Sequence, residues 1–229
     1  MKTGIGISLV LSAALVVLSV ACSQTANSNA NLAMNRNAMP MNANSMPSNM
    51  SNMSMNDNAN MSGMDMKSSP NAAGQPYDLQ FIDTMTHHHQ AAVDMAKMAL
   101  AKTSNEELKK FAQKIINDQT KEIGQMKDWR DKWFAGKPMA MNMEMPGMMG
   151  SMKMMSADGM KKMEVMSGKE YDTMFLDMMT PHHAGAITMA KEALTKAEHP
   201  EIKTLSNQII KAQEAEIKQM ADWKAKWSK

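Results

Sequence analysis

The chain has 229 residues and a formal net charge of +2, too small a positive excess for nucleic-acid binding. Aromatic side chains make up only 4%, whereas methionine reaches 32 residues, several times ordinary usage. A lone cysteine, Cys22, excludes an internal disulfide, so soft-metal chemistry must come from methionine and histidine.

The first residues read as an export signal. Lys2 supplies the positive start, and residues 5–21, "IGISLVLSAALVVLSVA", supply the apolar run. "LSVACS" then places small residues before Cys22, the pattern of a bacterial lipoprotein signal over residues 1–21. Ser19 stands where leucine is usual, with Leu18 one place further back. Cys22 is the expected lipidated first residue of a mature protein of the cell envelope and periplasm. Several acyl chains anchor firmly, because each buried methylene contributes ~0.8 kcal/mol. Ser23, in place of a retaining aspartate, points to the outer membrane.

Residues 22–76 form an Asn-, Ser- and Met-rich arm with almost no branched apolar side chains. Such a segment cannot offset its ordering entropy and is expected to be disordered. It holds ten methionines in runs such as "MSNMSMN" and "MSGMDM". A second Met-rich stretch, residues 135–168, carries twelve and reads as a linker. M-x-M and M-x-x-M spacings let a flexible chain wrap several thioethers around one soft ion. An oxidation sink is the competing reading of the same residues.

Between and after these stretches lie two copies of one unit. Residues 81–133 align with 175–227 at a constant offset of 94, and about half the positions are identical. Each copy predicts two helices. The first runs from about Asp78 to Lys102, and its counterpart from about Glu170 to Lys196. The second starts at Ser104, where "SNEE" reads as a capping box with Glu107; its counterpart starts at Pro200. Pro181 falls inside the third helix, where it frees the carbonyl of Asp177 and predicts a kink; a fresh helix start capped by Thr180 is the alternative. No strand signal is present. The expectation is an all-α, antiparallel four-helix bundle over residues 77–229, with hairpins at 77–134 and 169–229.

Helical spacing picks out the inward stripe. Phe81, Met85, His88, Ala92, Met95 and Ala99 share one row, and Ile82, His89, Val93 and Ala96 the next. His87 falls at the polar edge, and its equivalent is Pro181. The second copy repeats the pattern with Met179, His182, His183 and Met189. The partner helices turn Gln119, Glu122 and Met126, and Gln213, Glu216 and Met220, inward. A hairpin turning near Thr103 sets Glu122 level with Met85. Buried imidazole and carboxylate need a compensating partner. A mutual hydrogen-bond network would serve, and so would a metal ion. Imidazole suits copper, zinc, iron and nickel, while thioether selects monovalent copper and, by the same softness, silver. The candidate ligands are Met85, His88, His89, Met95, Glu122 and Met126 with Met179, His182, His183, Met189, Glu216 and Met220. Trp129, Trp133, Trp223 and Trp227 are expected to close the bundle ends by packing.

"FIDTMTHHHQAAVDMA", "QTKEIGQMKDW", "FLDMMTPHHAGAITMA" and "QEAEIKQMADW" resemble the family called domain of unknown function 305. Its pattern, M-x-x-H-H then a small residue and M-A, followed by Q-x-x-E-I-x-x-M-x-x-W, occurs here twice over residues 77–229. The resemblance implies a ferritin-like four-helix bundle. Through CopM-like periplasmic copper-binding members, it also implies a role in copper tolerance. The expectation is therefore a lipid-anchored copper-binding protein without catalysis, which exchanges ions with copper-transport proteins. A ferritin-like di-metal oxidase using Asp83, Asp177, Glu122 and Glu216 is the enzymatic alternative, although the inward Glu-x-x-His pairs of such sites are missing. An oxidant-scavenging structural lipoprotein is the third.

Overall fold

The computed structural model describes residues 67–153 and 155–227. The signal, Cys22 and nearly all of the Met/Asn-rich arm lie outside the described residues. Among the described residues six α-helices follow in chain order: α1 (Tyr77–Lys102), α2 (Glu106–Phe134), α3 (Met148–Met152), α4 (Ala157–Val165), α5 (Gly168–Lys196) and α6 (Pro200–Trp227). Among the described residues there is no strand, and no helix is long and apolar enough to cross a membrane.

The four long helices build the bundle. Helices α1 and α2 form one hairpin, α5 and α6 the second, and α1 packs on α5 across the middle. Two aspartates related by the offset of 94 fix α1 and α5 antiparallel. Asp78, at the start of α1, accepts the backbone N–H groups of Glu198 and His199 at the turn after α5. It also receives His199 Nδ1 at 2.5 Å. Asp172, at the start of α5, accepts from the Thr103 hydroxyl at the turn after α1. Each hairpin thus clamps the other's turn. The tryptophans pack as expected: Trp129 stacks on Trp133, Trp223 on Trp227, and Trp133 on the His199 ring at 3.8 Å.

Two local expectations change. The cap of α2 is Asn105, whose side chain accepts from the N–H groups of Glu107 and Leu108; Ser104 does not cap it. Thr103 Oγ1 takes the Asn105 N–H, which fixes the extended connection one residue later than expected. Across the hairpin, Glu122 meets His89 rather than lying level with Met85. Pro181 sits inside α5, which runs without interruption from Gly168 to Lys196, so no new helix begins there.

The Met-rich stretch at 135–168 is not a flexible linker. Its first part is sewn to α1. The Ala140 N–H donates to Asp83, the Asn142 N–H to the Thr84 hydroxyl, and the Asn142 side-chain amide to Gln80. Arg130 holds the other Asp83 oxygen at 2.8 Å. Met143, Met145, Met148, Met152, Met155, Met160 and Met163 are all buried. Each buried side chain of this size contributes about 1.5–3 kcal/mol, which the composition of a polar, Gly- and Pro-containing run did not disclose. Helix α3 then lies on α5 where two glycines meet. A Cβ on Gly185 would fall 2.3 Å from the Ser151 Cβ, and one on Gly147 (φ +91) would fall 2.3 Å from the Gly185 carbonyl oxygen. Only backbone without side chains permits that approach.

Candidate metal centre

The crossing of α1 and α5 brings the two inward histidine rows together at the bundle's midpoint. His88 and His182 stack with ring centroids 3.7 Å apart and planes inclined by 29°. His89 and His183 flank them, each 6.3 Å from its chain neighbour. All four are fully enclosed, whereas His87 is half-buried at the edge, as its spacing predicts. Burial pushes the imidazoles of His88 and His182 well below their ordinary pKa, and the surrounding histidines push them further. Both rings are therefore neutral, the state in which an imidazole nitrogen offers a lone pair to a metal.

The flanking histidines have partners that repeat with the duplication. His89 Nε2 lies 2.8 Å from a Glu122 carboxylate oxygen, and His183 Nε2 lies 2.8 Å from Glu216. A carboxylate only accepts, so both rings carry their proton on Nε2. Their Nδ1 atoms are buried and unpartnered. The Thr86 hydroxyl reaches Met126 Sδ at 3.9 Å, and Thr180 reaches Met220 Sδ at 3.8 Å. Met85, Met95, Met179 and Met189 are fully buried on the same helical faces as the histidines. Every inward residue of the predicted set is thus buried or half-buried, and the two glutamates are drawn onto histidines. Lys114 bonds the second Glu216 oxygen at 2.6 Å, and with His183 it holds that carboxyl below its usual pKa against the opposing effect of burial.

The layer also holds polar atoms without partners. Among the described residues these include His88 Nδ1, both ring nitrogens of His182, both side-chain atoms of Gln119 and Oε1 of Gln213. More than nine in ten buried polar groups are ordinarily paired, so this concentration marks a place built for something further. No three His, Cys, Asp or Glu side chains converge there among the described residues. A metal ion held in this layer would complete its ligand set with thioether sulfur, which the enclosed methionines supply. Asp83 is buried and committed to Arg130 and the Ala140 N–H. Asp177 is paired with Lys224.

Sequence reasoning missed one residue. Ser151, in the Met-rich stretch, places its hydroxyl oxygen 2.9 Å from His88 Nε2. The available hint was Gly185 in "HHAGA", an inward glycine in mid-helix, which marks a close backbone approach.

Comparison with known proteins places this architecture. Residues 78–224 match the family described as Domain of unknown function (DUF305). The copper(I)-bound structure of CopM is 39% identical with a TM-score of 0.55, covering 67% of this chain and 99% of that one. CopM has also been solved with copper(II), at 41% identity and a TM-score of 0.56 over 67% and 99% of the two chains. A structure described as a putative secreted DUF305 protein from Streptomyces coelicolor is 32% identical with a TM-score of 0.60, covering 67% and 94%. An uncharacterized protein of Acanthamoeba polyphaga mimivirus is 43% identical over 49 residues, 21% of this chain, which thus spans about a third (32%) of that protein's length. With the matched region covering well over half of its length, the chain belongs to the DUF305 family.

Proposed function

We propose that this protein is an exported, lipid-anchored copper-binding protein that sequesters or relays soft ions, monovalent copper first and silver with it. The observation that carries the reading is the stacked His88–His182 pair, with three of its four ring nitrogens lacking a side-chain partner in a fully enclosed core. Neutral imidazole beside thioether is a donor set for copper, and the thioethers favour the monovalent ion. Glu122 and Glu216 act through His89 and His183 in this reading, orienting the rings so that Nδ1 faces the ion. The copper(I), copper(II) and silver forms of CopM, 38–41% identical to this chain, support a copper or silver ligand. Export is supported by the sequence of residues 1–21 and by the secreted description of the Streptomyces relative. The anchor rests on Cys22 alone.

Support for binding rather than oxidase chemistry comes from how the carboxylates are used. Each of the four that a di-metal site would need is already engaged by a histidine, a cation or a backbone N–H. The test is a titration with monovalent copper under reducing conditions, in competition with a chromogenic chelator. The chain binds ions that a variant lacking His88, His89, His182 and His183 does not. Equal stoichiometry and affinity in the two would overturn the reading.

A further inference from the structure

The four core histidines differ in what fixes their protons. Glutamates hold His89 and His183 with N–H on Nε2. No glutamate reaches His88. Its Nε2 faces Ser151 Oγ at 2.9 Å, and the serine has a single hydroxyl proton. That proton points to the Met148 carbonyl oxygen at 2.8 Å, one turn back along α3. Ser151 Oγ is therefore the acceptor at His88, and His88 Nε2 is the donor. The opposite arrangement would strand an N–H on Nδ1, which is buried with nothing to receive it.

We infer that Ser151 is a positioning residue of the metal centre, which locks His88 in the Nε2–H tautomer and leaves Nδ1 as its ion-binding nitrogen. It does for His88 what Glu122 and Glu216 do for the other two histidines, but from a different part of the chain. The lock depends on α3 staying on α5, and the Gly147–Gly185 contact allows that approach. Beneath it, Asp83, Thr84 and Gln80 tether the preceding loop through Ala140 and Asn142. His182, the equivalent of His88, has no side chain doing this; the group acting on its ring is the His88 backbone. The stretch between the hairpins thereby becomes part of the site. The ion-binding role of Nδ1 rests on the proposed function; the tautomer itself does not.

Side-chain nitrogen NMR of the metal-free, 15N-labelled full chain reads the tautomers directly. In the unaltered protein, His88, His89 and His183 each show a protonated Nε2 and a bare Nδ1. Ser151→Ala removes the acceptor, and His88 alone becomes a tautomer mixture. Gly185→Ala keeps Ser151 and improves the helix propensity of α5, but its new methyl lifts α3 away, so it yields the same His88 mixture. His89 and His183 remain unchanged in both variants and report an intact bundle. A single Nε2–H form of His88 persisting in either variant overturns the inference. Addition of silver ions to the unaltered chain then shifts His88 Nδ1 while Nε2 keeps its proton, and Ser151→Ala weakens silver binding about 10- to 100-fold. A silver-induced loss of the Nε2 proton would overturn the assignment of the ligating nitrogen. Absence of any histidine response to silver would overturn the functional reading and leave the metal-free result standing.

Discussion

In the first hairpin, His89 meets Glu122 at 2.8 Å and the Thr86 hydroxyl reaches Met126; in the second, His183 meets Glu216 at 2.8 Å and Thr180 reaches Met220. The polar skeleton is therefore common to both. What differs is added from elsewhere in the chain. His88 has Ser151 and His182 has no side-chain partner; Glu216 has Lys114, while the residue equivalent to Lys114 is the exposed Gln208. Duplication thus supplies matched donors, and the later contacts make the two halves unequal. Glu216, with its side chain 7% exposed, is held from two sides, whereas Glu122, at 17%, is held from one.

The largest expected effect erases the shared part. Replacing His88 and His182 together by alanine lowers affinity for monovalent copper by more than about 100-fold, above what loss of an orienting partner costs. Chelator competition measures it. Acid comes next and acts on both halves alike. The folded-state pKa values of His88 and His182 lie well below 6.5, so the unfolded chain takes up their protons first. Their contribution to stability is complete above about pH 6.5 and is lost as pH falls toward the depressed values, at up to about 1.4 kcal/mol per pH unit for each ring. Chemical denaturation of the metal-free protein at stepped pH checks this, and His88→Asn or His182→Asn halves the slope contributed by the pair.

The unequal part is sharper to probe. Glu216→Ala orphans the His183 N–H and leaves Lys114 with Asp118 alone, costing about 2–3 kcal/mol in denaturant unfolding. Glu122→Ala costs about 1–2 kcal/mol, because water can reach the more exposed position. Equal losses would dissolve the distinction between the halves. The smallest effect is that of the cation. Lys114→Met removes a half-exposed ion pair and costs less than about 1 kcal/mol, and Gln208→Lys gains no more than that.

How much of this was legible in the sequence follows the same division. The hairpins, the inward histidine pair and the His87 bystander all come from a 3.6-residue period read twice at an offset of 94. Local rules placed the helix ends within two residues, and the miss at Asn105 arose because Ser104 and Asn105 are both competent caps. The fold of residues 135–168 was not legible. "MPGMMGSM" has no amphipathic period; Met145, Met148 and Met152 are buried where α3 lies on α5 at Gly185, while Met149 stays exposed. Ser151 and the His88–His182 stack are products of tertiary closure between segments 63 and 94 residues apart, which no local pattern encodes.

The central claim is that the stacked histidines at the α1–α5 crossing hold the ion. Crystals of the protein loaded with one equivalent of monovalent copper, measured on either side of the copper absorption edge, test it most directly. The account predicts an anomalous peak in the core, within bonding distance of His88 and His182 ring nitrogens and of methionine sulfur. Peaks confined to surface methionines, with the histidine stack unchanged, would contradict it.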